Sequence, residues 1–349
     1  MVKLLLSLKI SNIKLKHKEM NFIKPFNKIS KKDAFIAGGK GANLGEMIKA
    51  KIPVPSGFIV LASAFEEFLK QTDINVEIKA MWNRINIENI ESVEENSEIV
   101  RALILKAEVP EGIKKEILNA FDKLKVGYVA VRSSATAEDS KIDSWAGELE
   151  TYLNTTRENL IENVKKCWAS LYTPRALFYR IKRGLRRKEI SVAVVVQKMV
   201  QSEVSGVCFT IHPVTREKNQ MAIEAVWGLG EALVSGQVTP DTYIVEKVKM
   251  QKSKCKMTNQ NPKIKEKFKI LDVNASKQVK MIVRDKNSTK EISVPKSKQS
   301  KQKLSERQIK ELAELCLKIE NHYKSPQDIE WALENEKFYI VQTRPITTL

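Results

Sequence analysis

The sequence is poor in the side chains that build thiol or imidazole sites. Its four cysteines, Cys167, Cys208, Cys255 and Cys316, are far apart and form no Cys-x-x-Cys pair. That argues against a zinc site and a disulfide framework, and it suits a reducing, cytoplasmic compartment. Only three histidines occur, His17, His212 and His322. No apolar run approaches the roughly 20 residues that span a bilayer, so no membrane partner is expected. The Gly-x-x-x-x-Gly-Lys-Ser/Thr spacing of a P-loop is also absent.

Acidic residues are outnumbered, 42 against 60 Lys and Arg, for a net charge of +18. The excess is concentrated between Lys247 and Lys303, where eighteen basic residues meet four acids. This segment is Lys-dominated and has one aromatic, Phe268, so it lacks the stacking platform of a single-strand binder. A solvated Lys-rich face is the better reading, and nucleic acid is not expected as a partner. The basic field would still draw polyanions weakly.

What is present is enough for a large core: 349 residues, 42% of them hydrophobic. That size fits two domains or one two-lobed unit. Residues 1–21 mix apolar and basic side chains without a secretory h-region or cleavage site. They read as a basic amphipathic extension or as an over-extended gene start, with Met20 as the alternative beginning.

The richest stretch is 129–155. An apolar strand, Val129-Ala130-Val131, runs into Arg132 and a hydroxyl-rich turn, Ser133 to Asp139, before a loop reaches Trp145-Ala146-Gly147. A guanidinium at a strand end followed by small residues suits anionic oxygens. A solvated connection with an ordinary surface arginine fits this stretch equally well. Upstream, Ala37 to Met47 sets three glycines around Lys40, as in a phosphate-facing loop at a helix N-terminus. A glycine turn without function is the plainer reading of that motif.

Phe58–Leu61 reads as a buried strand, and Ser63 as the cap of a helix over Ala64–Gln71. Residues 73–126 carry helical periodicity, with Trp82 in the core stripe. Val192–Val196 is wholly apolar, hence central in a sheet. It delivers Gln197, Met199 and Val200 at its end. Gln278–Val283 and Glu291–Val294 read as an exposed hairpin, and Ser305 as the cap of a helix over Glu306–Tyr323. At the C-terminal end, Asp328 to Ala332 and Phe338 to Pro345 form a second hairpin. Gln342 and Arg344 lie two apart and share a face. A carboxylate, an amide oxygen and a guanidinium facing one space suit Mg²⁺ and triphosphate; a cross-strand Glu–Arg pair is the simpler alternative.

These pieces, GGKGANLGEM, IPVPSGF, VAVRSSATAED, WAGELETYLN, VVVQKMV, SGVCFTIHP, EAVWGLGEALVSG, DIEWA and IVQTRPIT, occur in one order from about Phe22 to Thr348. Together they resemble the ATP-binding domain of the phosphoenolpyruvate synthase (pyruvate, water dikinase) family. Rifampicin phosphotransferase and pyruvate, phosphate dikinase have a similar domain. The resemblance implies an α+β ATP-grasp fold, with an α/β N-terminal lobe over 22–199 and a mainly antiparallel lobe over 200–349 closing on nucleotide.

It further implies roles at matching positions. Lys40 and Arg132 would hold phosphates. Gly147 and Thr151, with Tyr152 beside them, would lie on the phosphate-covering loop. Gln197 and the Met199–Val200 backbone would face adenine, and Glu224 the ribose. Glu330 and Gln342 would bind Mg²⁺, and Arg344 the transferring phosphate. Glu148 stands where relatives often carry Gln, and Trp145 where Phe is usual.

In that family ATP passes phosphate to a His on a separate swinging domain, and a barrel domain then phosphorylates pyruvate. None of the three histidines here falls at the carrier position. The expectation is therefore a nucleotide-binding half whose turnover needs a phosphocarrier His domain and a pyruvate/phosphoenolpyruvate-binding barrel on another chain. A rifampicin phosphotransferase-like half and a non-catalytic nucleotide-binding regulator are the alternatives.

Overall fold

The computed structural model describes residues 21–136, 150–185, 190–248, 267–286 and 288–346. Residues 1–20 of the expected N-terminal extension and Trp145, Gly147 and Glu148 lie outside the described residues.

Strand β5, Val192–Lys198, is the axis of the first half. Its residues alternate between two cores, as period-2 side chains must. Val192, Val194 and Val196 enter one hydrophobic cluster, while Ala193 and Val195 enter another. Both faces are covered, so an unbroken apolar run is what the position requires. β5 is the middle of a five-stranded sheet, flanked by β2 (Gly57–Val60), then β1 (Ile23–Pro25), and on the other side by β3 (Val129–Ala135), then β4 (Thr151–Thr155).

Every pairing in this sheet is antiparallel. The chain is α+β, and the expected α/β arrangement of the N-terminal half is corrected on that point. One face carries six helices: α2 (Ala62–Gln71), α3 (Ile74–Arg84), α4 (Ile90–Lys106), α5 (Glu111–Leu124), α6 (Leu160–Ala169) and α7 (Pro174–Lys182). Phe65, Phe68 and Trp168 anchor that layer, with Trp168 ring centroids 5.5 and 5.0 Å from the two phenyl rings. Phe65→Ala there should cost about 3–5 kcal/mol. Trp82 is only partly buried; it packs against this core and carries the Arg180 guanidinium 4.4 Å from its ring. The α2 helix starts at Ala62 after Leu61, with no side-chain cap, so Ser63 lies inside it.

The second sheet has six antiparallel strands in the order β13-β12-β6-β7-β8-β9. They are β6 (Val204–Phe209), β7 (Gln220–Trp227), β8 (Asp241–Lys247), β9 (Phe268–Asn274), β12 (Gln327–Glu334) and β13 (Lys337–Pro345). Its buried face packs on α9, Glu306–Tyr323, through Ile309, Leu312, Cys316 and Ile319. Ser305 and Gln308 close a capping box at the start of that helix. The short α8, Glu231–Val234, follows β7, and β10 (Lys280–Asp285) pairs with β11 (Ser288–Ser293) as a separate hairpin. Among the described residues no helix is long and apolar enough to cross a membrane.

Helix α1, Ala34–Lys49, joins the two sheets. The glycine-rich stretch is this helix rather than an open loop. Its single break is Gly38 (φ 66°, ψ 171°), where an added Cβ would overlap the Ser134 backbone and hydroxyl. Positive φ and that close approach both require glycine. Beyond the break, the Gly41 N–H donates to Ser134 Oγ at 3.3 Å, and Asn43 Nδ2 donates to the Thr343 carbonyl at 3.3 Å. The helix thus touches β3 of the first sheet and β13 of the second. The second core is shared accordingly: Phe26, Leu44, Ile59 and Val195 pack in one cluster with Cys208, Ile223, Trp331 and Ile340.

Candidate functional site

Alternation along β3 sends Val129 and Val131 into the helix-covered core and Arg132 out of the opposite face. There its guanidinium reaches the second sheet. Nη2 donates to Glu330 Oε2 at 3.1 Å and to Gln342 Oε1 at 2.6 Å, and Nη1 donates to the Val341 carbonyl at 3.0 Å. The Arg132 side chain is 11% exposed and Glu330 30%. Arg132 Nε is buried with no partner.

The hairpin β12–β13 is shaped for this contact. Glu330 pairs with Gln342, while the next residue, Trp331, pairs with Ile340. Val341 is therefore the extra residue of a β-bulge, and bulges re-aim backbone groups out of the ladder. Its carbonyl is the one that accepts from Arg132. The bulge carries no sequence signature here and was not foreseen.

The same sheet face extends the site in register. Glu330 pairs with Val207 of β6, and Val207 with Glu224 of β7. Two residues along, Asp328 pairs with Arg344, and Arg344 Nε and Nη2 both lie 2.8 Å from Asp328 Oδ2. Arg344 thus has a carboxylate partner that sequence reading left without a role. Burial raises the Asp328 pKa, opposed by Arg344 and reinforced by Glu330. Burial also raises that of Glu224, with the Asp328 charge adding to it. Three carboxylates on one half-open face form an acidic floor with a guanidinium at each side.

Lys40 sits just past the Gly38 break in α1, half-buried and engaged within the fold. Gln197 is 2% exposed and its Nε2 has no partner. It pairs with Ala130 in the sheet, and Ala130 and Met199 close a small apolar cluster with Leu229, Ala232 and Ile282 from the other half. An unpaired buried amide beside apolar side chains is suited to the edge of a flat heterocycle. The Met199 N–H donates to the Tyr128 carbonyl, and Val200 is buried beside it.

Thr151 and Tyr152 correct the expectation of a covering loop. Both belong to β4. Thr151 pairs with Arg132 and so shares its face, whereas Tyr152 pairs with Val131 and faces the helical layer. The Tyr152 hydroxyl bonds Glu150 and its ring carries the Lys166 ammonium at 5.6 Å. Adjacent strand residues cannot both face the site. Gly147 lies outside the described residues.

Neither described histidine is placed to accept a group here. His212 Nδ1 accepts the N–H groups of Val214 and Thr215, both at 3.2 Å, and His322 Nε2 lies 2.9 Å from Glu46 Oε1.

Among the described residues no group of three or more His, Cys, Asp or Glu side chains is gathered to hold a metal. The oxygens of Glu330 and Gln342 nevertheless converge on one cationic nitrogen of Arg132. One carboxylate and one amide oxygen fit Mg²⁺, which binds few protein ligands and completes its shell with phosphate and water.

The family model described as "Pyruvate phosphate dikinase, AMP/ATP-binding domain" matches residues 35–349. A protein of Archaeoglobus fulgidus described as "Probable phosphoenolpyruvate synthase" is 47% identical over 327 residues, which is 92% of this chain and 41% of that protein. One from Methanocaldococcus jannaschii with the same description is 43% identical over 95% of this chain and 27% of its own length. The "Phosphoenolpyruvate synthase" of Pyrococcus furiosus is 42% identical over 94% and 44%. The chain therefore spans less than half of each of these relatives.

Proposed function

The chain belongs to the pyruvate phosphate dikinase AMP/ATP-binding domain family, and from that premise we propose that it binds Mg-ATP between its two sheets. In this reading it is the nucleotide half of a phosphoenolpyruvate synthase-like enzyme. It passes phosphate from ATP to a His on another domain or chain, and a barrel there converts pyruvate to phosphoenolpyruvate. The whole reaction would take ATP, pyruvate and water to AMP, phosphoenolpyruvate and phosphate. The sheets act as the two lobes of an ATP-grasp fold, divided near residue 199.

One observation supports this above the others. Arg132 leaves the first sheet and meets a carboxylate, an amide oxygen and a bulge carbonyl of the second. A purely structural pair has no use for that half-open arrangement beside two further carboxylates and Arg344. The proposed roles follow from the chemistry of each group. Gln197 Nε2 donates to the adenine edge, and the Ala130–Met199–Leu229 cluster covers its faces. Glu224 is on the ribose side. Arg132, Lys40 and Arg344 hold phosphate oxygens and offset the charge that develops during transfer. Glu330 and Gln342 hold Mg²⁺, which when bound neutralises phosphate charge and fixes its geometry. Catalysis is then positioning plus charge neutralisation, with the acceptor His brought in line from outside.

The test is transfer of label from ATP to a separately supplied His-bearing domain. Arg132→Ala and Glu330→Ala are expected to keep the circular dichroism of the parent chain and to abolish transfer. Transfer at the parent rate by either variant contradicts the assignment.

A further inference from the structure

We propose that in the nucleotide-free chain Arg132 occupies the cation position of its own site, holding Glu330 and Gln342 as a divalent ion would, so that metal enters only as the guanidinium leaves. This rests on the nucleotide-site reading above and adds to it a competition within the chain.

The geometry is specific. A single nitrogen, Nη2, takes both oxygens, Glu330 Oε2 at 3.1 Å and Gln342 Oε1 at 2.6 Å. Those oxygens belong to cross-strand partners, so the two side chains leave the ladder side by side and one cation answers both. The guanidinium cannot serve these two and a phosphate fork with the same nitrogen. Its Nε, buried without a partner, marks a side chain whose donors are incompletely used in this state. The Val341 carbonyl holds the other arm at 3.0 Å, which restricts the side chain to this pose.

Two consequences follow. Without nucleotide, an added divalent ion meets an occupied site and binds weakly. With nucleotide, phosphate oxygens offer the guanidinium a new partner at the moment the ion replaces it on Glu330 and Gln342. Metal and nucleotide would then bind with positive coupling, each removing the other's cost. The same guanidinium joins β3 to the bulged hairpin, so its release also loosens one tie between the sheets.

The experiment measures Mn²⁺ affinity without nucleotide, by electron paramagnetic resonance of the free ion, for the parent chain, Arg132→Gln, Glu330→Gln and the double variant. Mg-ATP binding by the parent is measured alongside. Arg132→Gln is expected to bind Mn²⁺ about tenfold more tightly than the parent, about 1.4 kcal/mol. The gain should vanish in the Glu330→Gln background, because it acts through that carboxylate. Should Arg132→Gln fail to fold, Arg132→Lys reads the same quantity, with an expected gain of about threefold, or about 0.7 kcal/mol. Unchanged or weaker Mn²⁺ binding overturns the proposal, and so does a gain that persists without Glu330. Failure of the parent to bind Mg-ATP at all overturns the underlying site reading instead. Mg-ATP binding together with unaltered Mn²⁺ affinity overturns only the competition.

Discussion

Two ionic clusters in this chain use the same chemistry to opposite ends. Lys303 Nζ lies 2.6 Å from Asp241 Oδ1, and both side chains are fully buried. Every direction around that carboxylate is filled: Tyr243 Oη at 2.7 Å and the N–H groups of Ser276 and Lys303, both at 2.8 Å. The Lys303 ammonium also donates to the Ser276 carbonyl. This cluster pins the segments before β10 and before α9 to strand β8. The Arg132 cluster is half-open instead, with an unpartnered buried Nε and two further carboxylates beside it. A closed cluster has only stability to offer. An open one leaves room for a ligand to rearrange it.

That contrast is broken most severely by disabling each cluster and reading both stability and transfer. Glu330→Ala should lower phosphoryl transfer by about a thousandfold or more, the scale of removing a preorganised charge-stabilising contact. Its urea midpoint should hardly move, because the pair is partly exposed and Arg132 keeps two other acceptors. Asp241→Ala should do the reverse, costing about 3–5 kcal/mol in urea unfolding by stranding a buried lysine. Equal stability losses for the two would remove the distinction.

A sharper version concerns Gln197, whose buried Nε2 has no partner. Leaving such a donor unpaired costs about 1–3 kcal/mol. Gln197→Leu should therefore leave the fold as stable or more so while weakening ATP binding about tenfold in calorimetric titration, about 1.4 kcal/mol. A destabilised variant with intact ATP binding would assign this side chain to structure.

The smallest effect is in pH. The folded pKa of Glu224 is raised, first by burial and then by Asp328. The increment of stability from a raised carboxyl is fully present below the unfolded pKa and lost as pH rises through the folded one. At neutral pH Glu224→Gln should melt slightly higher than the parent, with the difference disappearing at acid pH. A variant that melts lower at neutral pH reverses the sign.

The sequence made some of this readable and hid the rest for physical reasons. The Val192–Val196 run announced a strand central in a sheet, and it lies between β2 and β3. The strand leading into Arg132 and the terminal hairpin were legible because alternation and turn residues are local signals, but the turn expected from Ser133 is corrected: β3 runs on to Ala135, held by its pairing with Val192–Val194. Partner choice was not. Asp328 pairs with Arg344 while Glu330 pairs with Arg132, 198 residues away. The bulge at Val341, which brings in a carbonyl, depends on register and not on residue type. Lys303 closes the segment read as a solvated Lys-rich face, and its buried partner Asp241 is 62 residues away. The glycines around Lys40 suggested a loop, yet Gly41 and Gly45 lie inside α1 where it packs against Ile59 and Ile29. Tyr152 was misassigned because its neighbour Thr151 shares the face of Arg132 and strand residues alternate.

The most direct test of the central claim is a crystal structure of the chain with Mg²⁺ and a non-hydrolysable ATP analogue. The account predicts the metal about 2.0–2.1 Å from oxygens of Glu330 and Gln342, with the Arg132 guanidinium moved onto phosphate. Nucleotide bound away from the space between the sheets, with Arg132 still bridging Glu330 and Gln342, would contradict it.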